Sequence, residues 1–182
     1  LGEDKQAEDY VLHLTQTRAH SIGYISERIR EPSVAALLIG KAYRAAELGI
    51  RFVLDPASEL HGDGQYLPVS SLITILGNLT ENAFDALRDA PENAQKEVTV
   101  SIREGEHGML ISVDDSGAGI AADKLDRIFE RGFSTKGEGR GTGLSLVKDT
   151  VDAFHGTIRV ESEPGIGSSF IITVAESANG QQ

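Results

Sequence analysis

The stretch VSSLITILGNLTENAFDALRDA, residues 69–90, constrains the fold more than any other. Leu72, Ile75, Leu76, Leu79, Ala83 and Leu87 recur at three- and four-residue spacing, which lines them along one side of an α-helix. A helix with a single apolar stripe needs a complementary layer to bury it. The flanking sequence supplies one. HGMLISVDD alternates Met109, Ile111 and Val113 with less apolar neighbours, the period of a strand with one buried face. EVTVSIREG precedes it across residues 105–108, with glycine at both ends of the connection, which signals a hairpin. IRFVLD reads as a strand before the long helix, and TIRVESE and SSFIITVAE as two strands at the end. A short helix over 123–129 and a helix in GLSLVKDTVDAFHG complete the set. The expectation is an α+β protein: helices layered on a mixed, mostly antiparallel sheet.

Ahead of this unit, residues 5–30 carry Ala7, Tyr10, Val11, Leu14, Ile22, Ile25 and Ile29 near helical spacing. Glu31-Pro32 breaks the pattern, because the residue before proline is pushed out of the helical region. A second helix follows over 33–49, with Ser33 as its cap and Gly49 as its stop. The two read as a helical hairpin serving core packing or dimerisation. The chain opens on Leu1 and its one methionine is Met109, which reads as a piece of something longer. The final SANGQQ, 177–182, is expected to be a disordered tail.

Composition narrows the chemistry. No apolar run approaches the about 18 to 20 residues that cross a bilayer, so the piece reads as cytosolic in character. The absence of cysteine rules out disulfides and thiolate metal sites. A net charge of −11 argues against nucleic acid, which selects for a basic stripe. A polyanionic ligand would need locally concentrated positive charge.

Three local features invite a ligand. Asp114 and Asp115 fall at a strand end and are followed by Gly117 and Gly119, which can take positive φ or admit a close backbone approach. Asn78 and Asn82, four apart, share a face of the long helix, beside Glu81 and Asp85. They are either solvent-facing amides or hard oxygen ligands for Mg2+. The segment STKGEGRGTGLSLVK carries glycines at 137, 139, 141 and 143 and then enters a helix, so free N–H groups and a positive dipole end face whatever sits there. Lys136 and Arg140 add cations. The pattern is neither a P-loop nor a dinucleotide fingerprint, and alone it reads as a flexible surface loop.

In order along the chain, the Asn-bearing helix, DDSGAGI, IFERGFSTK, GRGTGLSLV and GIGSSF resemble the N, G1, F, G2 and G3 boxes of the GHKL ATP-binding superfamily. The resemblance implies the two-layer α/β sandwich known as the Bergerat fold. It implies that Asp115 accepts a hydrogen bond from the adenine amino group while Gly117, Gly119 and Ile120 admit the base. It implies that Asn82 holds Mg2+, that Asn78 and Asp85 support the site, and that Ser169 lies on its border. Thr135, Lys136, Gly139, Arg140, Gly141, Thr142, Gly143 and Leu144 would close over the phosphates, with Phe129 and Phe133 anchoring that lid. Asn82, Glu81, Lys136 and Arg140 are the catalytic candidates, although Glu81, one position from the metal residue, points to another helix face.

Members of the superfamily that hydrolyse ATP activate water with a glutamate one turn before the metal asparagine. Here that position is Asn78, which takes no proton at neutral pH. The wording GNLTENAFDAL, FSTKGEGRGTGLSLVK and HGTIRVESEPGIGSSF is instead similar to two-component sensor histidine kinases, of the citrate and C4-dicarboxylate sensor subfamily. That resemblance implies ATP and Mg2+ as cofactors and transfer of the γ-phosphoryl group to a histidine, then to a response-regulator receiver domain. It also implies a homodimer in the full-length kinase, and a cytoplasmic portion of an inner-membrane-anchored bacterial sensor. Residues 1–31 would be the second helix of a dimerisation hairpin and 32–176 the ATP-binding domain. The acceptor histidine in such kinases is followed by an acid. His13, His20, His61, His107 and His155 are followed by Leu, Ser, Gly, Gly and Gly, so the acceptor is expected outside this chain. A serine kinase of the anti-sigma type and a nucleotide-sensing module without catalysis are the alternatives.

Overall fold

The computed structural model describes residues 22–62, 64–88, 90, 94–133 and 141–175. The expected tail and the first part of the N-terminal helix lie outside these residues. The chain enters through helix α1, described over residues 22–28, and continues into α2 (Pro32–Glu47), β1 (Arg51–Leu54) and α3 (Val69–Arg88). The hairpin β2 (Glu97–Gly105) and β3 (Gly108–Asp115) follows, then α4 (Ala122–Leu125), α5 (Gly143–Ala153), β4 (Thr157–Glu163) and β5 (Gly167–Ala175).

The strands form one sheet in the order β1-β2-β3-β5-β4. β1 runs parallel to β2, with Arg51 opposite Glu97, and every other pairing is antiparallel. A parallel pair cannot be joined by a tight turn, and α3 is the crossover between β1 and β2. α3 packs between α2 and α5 and spreads its stripe over the sheet. Leu72, Ile75, Leu76, Leu79, Ala83 and Leu87 are all buried there. They meet Val98, Val100, Ile102, Met109, Ile111, Val113, Phe170, Ile172 and Val174, which alternate along their strands onto the covered face.

One expectation about the N-terminal part needs correction. The cap of α2 is Glu31, not Ser33. Proline lacks an N–H and has a preset φ, so it suits the first helical position, and the cap then falls to the residue before it. Glu31 is extended at φ −78 and ψ 114, and its carboxylate accepts the Val34 N–H at 2.7 Å. The helix does stop at Gly49, whose φ is +68. The chain just ahead of residue 31 also packs against the domain. Ile25 and Ile29 are 3% and 1% exposed and belong to the same core as α3. The Arg30 N–H donates to the Leu60 carbonyl at 2.9 Å and the Leu60 N–H to the Arg28 carbonyl at 3.0 Å. Residues 25–30 therefore pack as part of the domain that the sequence assigned to 32–176.

Candidate nucleotide site

The site lies along one flank of α3. Asn78, Asn82 and Ala86 succeed one another at four-residue spacing, so they line one side of the helix over about 12 Å. Each end of this row is met by a different element. At the C-terminal end Gly117 presses on α3: a Cβ there would lie 2.9 Å from both the Cβ and the carbonyl oxygen of Ala86, and 2.7 Å from Asp115 Oδ1. At the other end Gly143, the first residue of α5, comes so close that a Cβ would lie 2.9 Å from Asn78 Oδ1.

Asp115 reaches this place because β3 ends there. It faces the same side of the sheet as Val113, and its Oδ1 accepts the Gly117 N–H at 2.8 Å, which orients the carboxylate toward α3. The two glycines after it do different jobs. Gly117 permits the close approach just described, whereas Gly119 has φ +69, and a Cβ there would overlap the Glu163 carbonyl oxygen. The loop is tied to the far hairpin by the Gly165 N–H donating to the Ala118 carbonyl at 2.8 Å, and by the Ile120 N–H donating to Ser162 Oγ at 2.8 Å.

Asn82 Nδ2 is buried without a hydrogen-bond partner. An orphaned buried amide costs about 1 to 3 kcal/mol, so such an atom is normally matched by something. Half a turn about its last torsion exchanges the amide nitrogen for Oδ1, so the same side chain can offer a donor or a hard oxygen. Among the described residues no group of three or more His, Cys, Asp or Glu could hold a metal ion. A divalent ion here would take one or two protein oxygens and fill its sphere from phosphates and water, which is how Mg2+ binds. The residues present fit it. Asn78 is held differently: its Nδ2 donates to the Thr74 carbonyl at 2.7 Å, and its Oδ1 faces Gly143. Neither asparagine is a base.

The first turn of α5 has Thr142 at its cap position with no side-chain cap hydrogen bond, and a helix N-terminus suits an anion. Leu144, Phe129 and Phe133 are half-buried against the core, and the Arg127 guanidinium sits 4.8 Å from the centre of the Phe133 ring. The Gly132 N–H donates to the Gly141 carbonyl at 3.1 Å, so the two ends of the glycine-rich segment meet. Thr135, Lys136, Gly139 and Arg140 lie outside the described residues.

Two of the expected site residues stand elsewhere. Glu81, a catalytic candidate, turns to the opposite flank, where it accepts from Lys41 Nζ at 2.6 Å and lies 3.5 Å from Arg44 Nε on α2. Asp85, three residues after Asn82, stays on the same side of α3 and pairs with Arg88 Nη2 at 2.6 Å. Ser169 pairs with Asp114 on the uncovered face of the sheet. Its neighbour Ser168 is the serine opposite Asp115; it is buried, and its Oγ is 3.0 Å from Ser162 Oγ. Strand parity counted back from Phe170, Ile172 and Val174 points to Ser168, but the consecutive Phe170, Ile171 and Ile172 obscure which alternate set is buried.

A two-layer fold with an aspartate at a strand end, an asparagine on the facing helix and a helix N-terminus beyond it defines a nucleotide-binding domain. The chain belongs to the histidine kinase-, DNA gyrase B- and HSP90-like ATPase family, whose model matches residues 69–178. Among its relatives, the sensor histidine kinase DcuS of Escherichia coli (strain K12) is 44% identical over 175 residues, covering 96% of this chain and 32% of that protein. The sensor protein CitS of Bacillus subtilis (strain 168) is 35% identical over 176 residues, covering 96% and 32%. A probable C4-dicarboxylate sensor kinase of Halalkalibacterium halodurans is 36% identical over 173 residues, covering 94% of this chain and 32% of that protein. The chain spans about a third of the length of the curated relatives it matches. Among solved structures, the catalytic domain of histidine kinase ThkA superposes with a TM-score of 0.61 at 22% identity, covering 79% of this chain and 90% of that one. The mycobacterial sensor histidine kinase MprB gives 0.60 at 22%, covering 78% and 92%. Both are similar in fold. No described helix is long and apolar enough to cross a membrane.

Proposed function

We propose that this domain binds ATP with Mg2+ and presents its γ-phosphoryl group to a histidine of a sensor kinase for relay to a response-regulator aspartate. The observation that carries the reading is the row Asn78, Asn82, Ala86, which meets a base-reading carboxylate at one end and a helix N-terminus at the other. Asp115 accepts a hydrogen bond from the exocyclic amine of adenine, and a base without that donor forgoes this bond at a cost of about 1 to 3 kcal/mol. Asn82 is the protein ligand of the metal, and the first N–H groups of α5 face the phosphates.

When bound, Mg2+ would neutralise phosphate charge, as in phosphoryl transfer generally. The acceptor imidazole nitrogen attacks the γ-phosphorus in line, the bond to the bridging oxygen breaks with its electron pair leaving on ADP, and the imidazole loses a proton. The domain's part is to position the nucleotide and keep water from competing. Asn78, which cannot accept a proton, stands where hydrolytic members carry their base. As in the relatives' names, the whole protein is a sensor. A membrane anchor, a homodimer and a receiver-domain partner belong to the same proposal.

The test is calorimetric titration of ATP and ADP with and without Mg2+, and radiolabel transfer to a supplied acceptor segment. Asp115→Asn should weaken both nucleotides about 5- to 150-fold. Asn82→Ala should remove the gain in affinity that Mg2+ brings. Unchanged affinity in both variants, or label appearing on a protein serine, refutes the reading.

A further inference from the structure

Glu81 is next to Asn82 in the chain yet about 100° away around the helix, so it faces α2 while Asn82 faces the nucleotide site. We propose that the ion pair between Lys41 on α2 and Glu81 on α3 is a positioning device that sets where the Asn82 carboxamide stands. The inference rests on the role given to Asn82 above.

Nothing bonded to Asn82 Nδ2 holds that side chain in place, so its location is inherited from the helix backbone. On the sheet side α3 is held by Leu76, Leu79 and Ala83, apolar contacts that attract without fixing direction. On the flank toward α2 the packing is open one turn before Glu81: a Cβ on Gly77 would meet nothing within 4 Å. A directional contact on that flank is the pair itself, at 2.6 Å, with Arg44 Nε a further cation at 3.5 Å. Only 14% of the Lys41 side chain is exposed, so solvent competes poorly for its ammonium. Removing the carboxylate leaves Lys41 and Arg44 as neighbouring cations without their shared anion. Restoring a partner for them requires α3 to turn or shift, and Asn82 moves with it. The apolar stripe tolerates a small rotation, whereas a metal ligand does not.

The experiment uses Glu81→Gln, Lys41→Met and the exchange Lys41→Glu with Glu81→Lys, which again places one anion among two cations. Affinity for ATP is measured with and without Mg2+, together with thermal unfolding. Each single variant should lose about 3- to 30-fold of the ATP affinity seen with Mg2+, while metal-free ATP affinity stays within about twofold of wild type. The exchange should recover most of the loss. The proposal is overturned if the single variants keep the full gain from Mg2+, if they lose metal-free and metal-bound affinity in the same proportion, or if a folded exchange variant recovers nothing. Asn82→Ala separates the two ideas. If that variant itself keeps the gain from Mg2+, the metal role of Asn82 is wrong; if it loses the gain and the pair variants do not, only the positioning role fails.

Discussion

Replacing Gly117 by alanine tests the nucleotide site at its tightest point. Gly117 keeps an ordinary backbone conformation, so the new methyl group brings no torsional strain and its whole effect is steric. The methyl would stand 2.7 Å from Asp115 Oδ1 and 2.9 Å from both the Cβ and the carbonyl oxygen of Ala86. Overpacking of this kind costs about 1 to 3 kcal/mol. It can be relieved in two ways. Asp115 can swing aside, giving up its 2.8 Å hydrogen bond from the Gly117 N–H and withdrawing the carboxylate from the base. Alternatively α3 can recede, which loosens the core and displaces Asn82. Either way ADP affinity falls; losing the hydrogen bond to the base costs about 1 to 3 kcal/mol, so at about 1.4 kcal/mol per tenfold the expected loss is about 5- to 150-fold. Titration calorimetry measures that loss, and thermal unfolding without nucleotide tells the two routes apart. Recession of α3 lowers Tm by about 2 to 4 °C for each kcal/mol of the overpacking cost, whereas rotation of Asp115 costs only its one hydrogen bond, about 0.5 to 1.5 kcal/mol. An ADP affinity within twofold of wild type would refute the contact between Gly117 and the site.

Three further outcomes are expected. Glu31→Ala removes the side-chain cap of α2 and should destabilise the domain by about 0.5 to 2 kcal/mol in urea unfolding, with ADP affinity unchanged. Ile29→Ala empties a position that is 1% exposed and should cost about 2 to 5 kcal/mol, read as a lower denaturation midpoint. A residue outside the folded unit would show no change. At His155, the non-glycine residue with φ +54 after α5, glycine should raise Tm by relieving about 1 kcal/mol of left-handed strain.

Much of the fold was legible because its period is strong. Every residue in the apolar stripe of α3 is buried, and the hairpin closes through Gly105 opposite Gly108, where the glycine spacing put it. Asp115 was legible for a similar reason: alternation ends there and two glycines follow. The misses share a different cause, since each turns on a single residue of phase. Ser169 and Ser168 differ by one position in a strand, and one position exchanges the faces of a sheet. Glu81 and Asn82 differ by one position in a helix, and that separates the α2 flank from the site. The α2 cap moved from Ser33 to Glu31 because Pro32 between them claimed the first helical turn. The proline at 32 marks the end of a helix and says nothing about what that helix packs against. Ile25 and Ile29 are held by contacts with residues far along the chain, among them Leu60.

Those contacts have a mechanical consequence. Ile29 bridges Leu60, and Glu59 in turn bridges Arg103 of β2, so the incoming chain is grafted through main-chain bonds onto the sheet that carries Asp115. Residues 25–31 cannot act as a hinge. A twist applied to α1 would turn the sheet and its bound nucleotide together, as a handle turns a blade, and any joint that lets the domain swing lies outside that segment.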